Sequence, residues 1–283
     1  MSKNPDATVD AGQAGNTLRL SRNLARVPSP IRRGARRLLR EVLCSACLEG
    51  MSISDAWEQY AKKTLADNGS NDGSFLGDEW TRAKEIGMDV PDDQIVAYLD
   101  QKVFEPFLKG CDVILEIGSG GGRFTSVLLP KCNKVIATDT SPSMLSLMRR
   151  RFGEEPKIDY LQLDGRGLGA VPDASVDAAF SYGVFVHLQH WDIYNYLREI
   201  HRVLKPGGRA LIHHSNTFSD LGWKRFKDET PSSLDKPKLP GTFIFMTPEI
   251  MRALVDKAGL TMVDCITDIV RRDCVSLMRR PPQ

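Results

Sequence analysis

The chain has 283 residues, 41% of them apolar, with 38 basic and 36 acidic groups and a net charge of +2. That length suits one large domain or two small ones and supports a sizeable core. No run approaches the roughly 18 apolar residues of a membrane helix. No apolar segment follows the start as a secretory signal would, and the charge balance is not that of a dedicated nucleic-acid binder.

The charge is unevenly placed. Residues 1–50 carry nine basic and four acidic groups (+5), and the remainder carries 29 and 32 (−3). Residues 1–17 are polar and Gly-rich without periodicity, which predicts disorder. From Arg19 to Arg40 there are eight arginines and no acid, interrupted by Pro28 and Pro30. Ile31, Ala35, Leu38, Leu39, Val42 and Leu43 then repeat at helical spacing, giving a basic amphipathic helix. The expectation is that this helix docks its Leu face on the main domain. Peripheral contact with an anionic membrane surface is the alternative. An Arg-rich transit peptide is a third reading, opposed by Asp6 and Asp10. Cys44 and Cys47 form a CxxC with no second ligand pair at zinc spacing, and the six scattered cysteines read as reduced thiols of a cytoplasmic protein.

Residues 51–91 read as a helical lid segment. A helix is expected over 52–66, capped near Ser54 or Asp55, with Trp57, Tyr60 and Leu65 as apolar points and a loop at 68–73. Residues 92–283 read as the main domain, beginning with a helix over about 92–108 after Pro91. Beyond Gly110 short apolar runs alternate with helical patterns. Strands are expected at 113–117, 134–138, 160–163, 176–181, 209–213, 263–267 and 274–278. Helices are expected from the Gly-rich turn to about Leu129, after Ser141-Pro142, over 191–204 and over 248–258. Such alternation implies a parallel sheet covered on both faces. Residues 214–248 are a polar, aromatic-dotted insertion, longer than loops in compact domains usually are, and are assigned to the acceptor site.

The most informative segment is VILEIGSGGGRF, 113–124: a buried strand, then Gly118, Gly120, Gly121 and Gly122 opening a helix. Glycines there admit a sharp turn and close ligand approach, and the helix N-terminus offers N–H groups to an anion. Asp139 closes the next strand, 23 residues after Glu116, where an acid can accept both hydroxyls of a ribose. These features predict a nucleoside-bearing ligand at the carboxyl ends of the strands. A dinucleotide G-x-G-x-x-G fails in both registers, its third glycine falling on Arg123 or Thr125, and no P-loop Gly-Lys-Ser/Thr is present.

The E-x-G-x-G-x-G pattern resembles the first motif of class I S-adenosylmethionine-dependent methyltransferases. In the same order VIATDTSPSML (135–145), LQLDG (161–165), VDAAFSYGVFVHL (176–188) and EIHRVLKPGGRALI (199–212) resemble further family motifs, over roughly 95–280. The resemblance implies a Rossmann-like α/β three-layer sandwich with a seven-stranded, mostly parallel sheet and an antiparallel last strand. It implies S-adenosylmethionine as cofactor and S-adenosylhomocysteine as product. It puts Glu116, Gly118, Ser119, Gly120 and Gly122 around the methionine part and Asp139 on the ribose. Thr140, Met144, Asp164 and Gly165 then lie near the adenine, Ser181 and Tyr182 beside the sulfonium, and Tyr60 over the cofactor.

The expected activity is O-methylation of a small-molecule or saccharide hydroxyl, aligned for in-line transfer and deprotonated by a histidine. His187 is the first candidate base. Of His213 and His214, one should turn to the site and the other into the helical layer, and His214 is the second candidate. Trp223, Phe226, Phe243 and Phe245 could stack on an acceptor, and Lys224, Arg225 and Lys227 could meet an anionic group. No Asp/Glu/His spacing suggests a metal, so none is expected. An N- or C-methyltransferase and a binding module without turnover are the alternatives. An RNA acceptor is disfavoured by the −3 balance of the main domain.

Overall fold

The computed structural model describes residues 52–67, 82–234 and 243–282; the features expected in residues 1–50, including the Arg-rich helix and the CxxC, and the 68–73 loop lie outside them. Seven strands form one sheet: β1 (Val113–Ile117), β2 (Lys134–Asp139), β3 (Ile158–Gln162), β4 (Val176–Ser181), β5 (Leu204–Ser215), β6 (Thr261–Ile266) and β7 (Asp273–Arg279). Their order is β3-β2-β1-β4-β5-β7-β6. The β1–β2, β1–β4, β2–β3 and β4–β5 pairs are parallel, and β7 runs antiparallel to both β5 and β6. The fold is thus the Rossmann-like sandwich expected, with its last strand reversed.

Near-continuous apolar strands are what a sheet covered on both faces requires. Alternate residues feed two apolar layers. Ala178, Phe180, Leu211, Val275 and Leu277 face one, with Leu99, Val103 and Phe104 packed on them. Leu115, Ala179, Ala210, Ile212 and Met278 face the other, beneath Ile193, Leu197 and Ile200 of α7 (His190–Val203) and Met251 and Val255 of α9 (Pro248–Lys257).

Helix α1 (Ile53–Asp67) and the short α2 (Ala83–Ile86) precede the sheet. The helix expected over 92–108 is interrupted. A 3-10 turn, Asp92–Gln94, leads into α3 (Ile95–Leu99), a π-turn at Asp100–Phe104 follows, and α4 (Glu105–Leu108) ends it. Lys131 clamps the wide turn, its Nζ donating to Asp100 at 2.9 Å and Glu105 at 2.7 Å. The helix after the glycines is a single turn, α5 (Thr125–Leu128). Helix α6 (Pro142–Phe152) starts as its sequence requires: the Ser141 hydroxyl accepts from the Met144 N–H at 3.2 Å, and Pro142 stands in the first turn.

Two departures bear on the site. β5 begins at Leu204, not 209, because Gly207 and Gly208 pair with Arg280 beyond β7. The 214–248 insertion is not all loop: residues Asp220–Leu234 form α8. Its anchor is tertiary. The Ser219 hydroxyl donates to the Asn216 and Arg272 carbonyls and accepts from the Gly222 N–H, all within 3.1 Å. Among the described residues no helix is long and apolar enough to cross a membrane.

Candidate functional site

A cavity of about 410 Å³ opens at the carboxyl ends of β1, β2 and β4, where ligands sit in open α/β sheets. Its floor is the glycine loop. Gly118 takes a positive φ of 72°, and a Cβ there would run into Val184, so only glycine fits. The Gly118 and Ser119 N–H groups donate to the Thr138 carbonyl at 2.9 and 2.8 Å, which ties the loop to the end of β2.

Asp139 is the fixed acid of the cavity. One carboxylate oxygen accepts from the Gly120 N–H at 2.9 Å and the other from the Ser141 N–H at 2.8 Å. Each oxygen keeps a further lone pair for a ligand hydroxyl. Burial pushes this carboxyl up, while the hydrogen bonds from Ser141 and Gly120 oppose the shift. Glu116, one strand away, is 2% exposed and lies beneath the loop rather than in the cavity wall. The Thr125 hydroxyl donates to it at 2.5 Å. Burial, reinforced by the Asp139 charge, lifts it to about 8, so it is largely protonated at neutral pH.

The cavity brings together Tyr60, Gly118, Ser119, Gly120, Asp139 and Thr140 with Met144, Gly165, Tyr182 and His187. It does not include Glu116, Gly122, Asp164, Ser181 or His214. Gly122 backs onto α6, where a Cβ would meet the Phe152 ring at 2.5 Å. Asp164 is exposed and caps its own turn, accepting from the Arg166 N–H at 2.8 Å. Ser181 is buried and donates to the Ile117 carbonyl at 2.9 Å, joining β4 to β1.

The histidine alternation along β5 runs opposite to the expectation. His213 faces the cavity and His214 faces the other layer, its ring held by the Ser215 carbonyl and Ser276. His213 stacks on Tyr182 with centroids 4.0 Å apart. Its Nδ1 accepts from the Gly183 N–H at 3.3 Å, and its Nε2 lies 3.3 Å from Asp273, which Arg272 pairs at 2.6 Å. Burial lowers the His213 pKa against the opposing pull of Asp273, so the ring stays neutral. With Nδ1 bonded to Gly183 and Nε2 turned to Asp273, it braces the wall. His187, in a 3-10 turn after β4, lines the same cavity with its ring 5.4 Å from Trp57.

Sequence reading missed the clamp that brings α1 over the cavity. Glu58 accepts from the Ser141 and Ser143 hydroxyls, both at 2.6 Å, and from the Ser143 N–H at 3.1 Å. The Ser54 hydroxyl adds a bond to the Thr140 carbonyl at 2.8 Å. Trp57 and Tyr60 thereby join the lining. Desolvation raises the Glu58 pKa, but the hydrogen bonds from Ser141, Ser143 and Lys62 outweigh it and bring the group from 4.5 to about 2. A depressed carboxylate stabilises the docked state above its unfolded pKa and loses that contribution as pH falls through the folded value. Hydrogen-exchange protection of α1 should therefore decline between about pH 4.5 and pH 2. Glu58→Gln should already have the weaker protection at neutral pH. Equal α1 protection in both proteins at both ends of that window would refute the clamp.

Phe243 and Arg225, singled out in the insertion, do line the cavity, joined by Arg123, Arg272 and Asp273. The Arg225 guanidinium lies 3.9 Å from the Phe243 ring centroid and donates to Glu229 at 2.7 Å. Trp223 and Phe226 instead stack on each other at 5.0 Å, and Phe226 packs edge-on against Phe245. Lys224 pairs with Asp228 on the surface.

A nucleoside-bearing amino acid fits these residues on three counts. The glycine loop is a cradle a Cβ would fill, Asp139 presents a fixed pair of acceptors, and two buried hydroxyls in the lining, of Ser119 and Tyr182, have no hydrogen-bond partner.

Comparison with known proteins agrees with that fit. Residues 115–212 match the methyltransferase domain family. A Mycolicibacterium smegmatis protein described as a probable S-adenosylmethionine-dependent methyltransferase is 33% identical over 108 residues, covering 38% of this chain and 40% of its own length. The chain thus spans about two fifths of that relative. Two solved structures share the fold. The DhpI complex with S-adenosylhomocysteine has TM-score 0.57 and 14% identity over 82% of this chain and 98% of that one. A Methanosarcina mazei S-adenosylmethionine-dependent methyltransferase has TM-score 0.53 and 16% identity over 64% and 98%.

Proposed function

We propose, from the match of residues 115–212 to the methyltransferase domain family and their likeness to a probable S-adenosylmethionine-dependent methyltransferase, that this chain O-methylates a small-molecule or saccharide hydroxyl, with His187 as the base. The observation that carries the reading is one of placement: His187 shares one cavity with the glycine loop and Asp139.

Bound S-adenosylmethionine supplies an electrophilic methyl group on a sulfonium. The chain's own residues do the rest. Asp139 and the loop hold the nucleoside end, and α1 covers it. Trp57, Val186 and Phe243 form an apolar wall on the His187 side, with Arg225 and Arg272 beside it. That wall suits a sugar face or an aromatic ring. Both guanidinium groups are already paired with carboxylates, Arg225 with Glu229 and Arg272 with Asp273. His187 would take the hydroxyl proton as the oxygen attacks, and alignment would supply most of the remaining rate.

The test is calorimetry of the full chain with S-adenosylhomocysteine, followed by transfer of labelled methyl to a panel of phenols, hydroxy acids and saccharides. Micromolar binding and label on an acceptor oxygen are expected. Label on nitrogen or carbon would move the reaction class. Tight binding without transfer to any acceptor would leave a binding module.

A further inference from the structure

We propose that His214, Cys265 and Cys274 form a structural Zn²⁺ site that joins β5, β6 and β7 on the sheet face away from the cofactor cavity. The three donor atoms all lie within 4.8 Å of one another. Around a tetrahedral zinc ion, with Zn–S of about 2.3 Å and Zn–N of about 2.0–2.1 Å, such donors stand roughly 3.5–3.8 Å apart. Cys274 Sγ lies 3.2 Å from His214 Nε2 and 3.4 Å from Nδ1, over the ring, so sharing an ion requires the thiols to turn toward the Nε2 edge.

The arrangement follows from the sheet. Register pairs His214 with Cys274 across β5 and β7, and Cys265 with Ser276 across β6 and β7. Period-two alternation puts all four on one face. His214, Cys274 and Ser276 are fully buried, and Cys265 is partly so. The cysteines are free thiols rather than a disulfide.

The imidazole is oriented as a metal-binding histidine is. Its Nδ1 lies 2.9 Å from the Ser215 carbonyl, which can only accept, so Nδ1 carries the proton. The Nε2 lone pair is left facing the Ser276 hydroxyl at 2.8 Å. A backbone carbonyl that fixes the tautomer in this way is the usual outer support of a zinc-bound histidine. Ser276 Oγ, 3.6 Å from Cys265 Sγ, is in reach as the fourth donor. Binding would replace both thiol protons, which pass to solvent, and two thiolates would neutralise the ion. The neighbours in sequence, His213 and Asp273, form the cavity wall, so the ion would anchor that wall from behind.

The full chain carrying Cys44→Ser and Cys47→Ser, which removes the CxxC as a competing ligand pair, should retain about one zinc per molecule when purified without chelator. Adding Cys265→Ser or Cys274→Ser should lower that content at least about tenfold. Because those variants could misfold, a second measurement uses the unmutated cluster. Cobalt(II) added to the zinc-free protein should give thiolate-to-metal charge-transfer absorption in the near ultraviolet, abolished by added zinc. Zinc well below stoichiometry together with no such absorption would overturn the site. A Cys265–Cys274 disulfide in the freshly purified protein would do the same.

Discussion

Asp139→Ala should cost the protein nearly all of its affinity for S-adenosylhomocysteine. A hydroxyl bonded to a charged acceptor is worth about 1.5–3 kcal/mol. Losing two such bonds raises Kd by roughly 10²–10⁴-fold, from an expected micromolar value (about −8 kcal/mol) toward the millimolar range. The same carboxylate holds the Gly120 and Ser141 N–H groups, so its loss also frees the loop and the start of α6. Asp139→Asn separates the two effects. It keeps one oxygen for a backbone donor but puts an amide N–H₂ where the other must accept, and its affinity should fall nearly as far. Calorimetry on variants with unchanged circular dichroism makes the measurement. Binding within about twofold of the unmutated protein in Asp139→Ala would remove the ribose role.

What the sequence disclosed is what local chemistry determines. Four glycines in five positions, with an acid closing the next strand, mark a ligand turn without any tertiary information, and the strand–helix alternation yields the sheet. Partnerships across long separations stayed hidden. Glu58 meets Ser141 and Ser143 from 83 and 85 residues away, and nothing in its own helix distinguishes it from a solvated acid. Helix α8 is hidden in a polar, aromatic-dotted stretch because its support is tertiary: Trp223 and Phe226 stack on each other, and Ser219 fixes the start through backbone carbonyls. The β5 alternation was open by one residue, and a one-residue slip exchanges faces. That slip moves His213 to the cavity and His214 to the cysteines. His214, Cys265 and Cys274 have no common spacing in the chain and meet only because β7 runs between β5 and β6.

The wall beside the reacting centre therefore contains two histidines in different circumstances. His213 sits between Tyr182, the Gly183 N–H and Asp273, and taking a proton would break its bond from Gly183. His187 stands in a turn at the carboxyl end of β4, edge-on to Trp57, in the cavity that also holds Asp139. Removing a positioned base costs about 10²–10⁴-fold in rate, and His187→Ala should lose turnover on that scale. Affinity for S-adenosylhomocysteine should stay near the unmutated value, because the contacts proposed for the nucleoside end are Asp139 and the loop. An imidazole base works only in its neutral form, so turnover should fall on acidification. His187→Ala should lack that limb, and added imidazole should restore part of both rate and limb. His213→Ala is the contrast. It removes the stack under Tyr182 and should raise KM for the acceptor while leaving the acid limb in place. A nitrogen acceptor would tie acid loss to its own proton and keep the limb in every variant. Once an acceptor is in hand, pH–rate profiles of the three proteins decide the matter. Full turnover in His187→Ala, with the acid limb intact, would mean that alignment alone drives transfer and that no histidine serves as base.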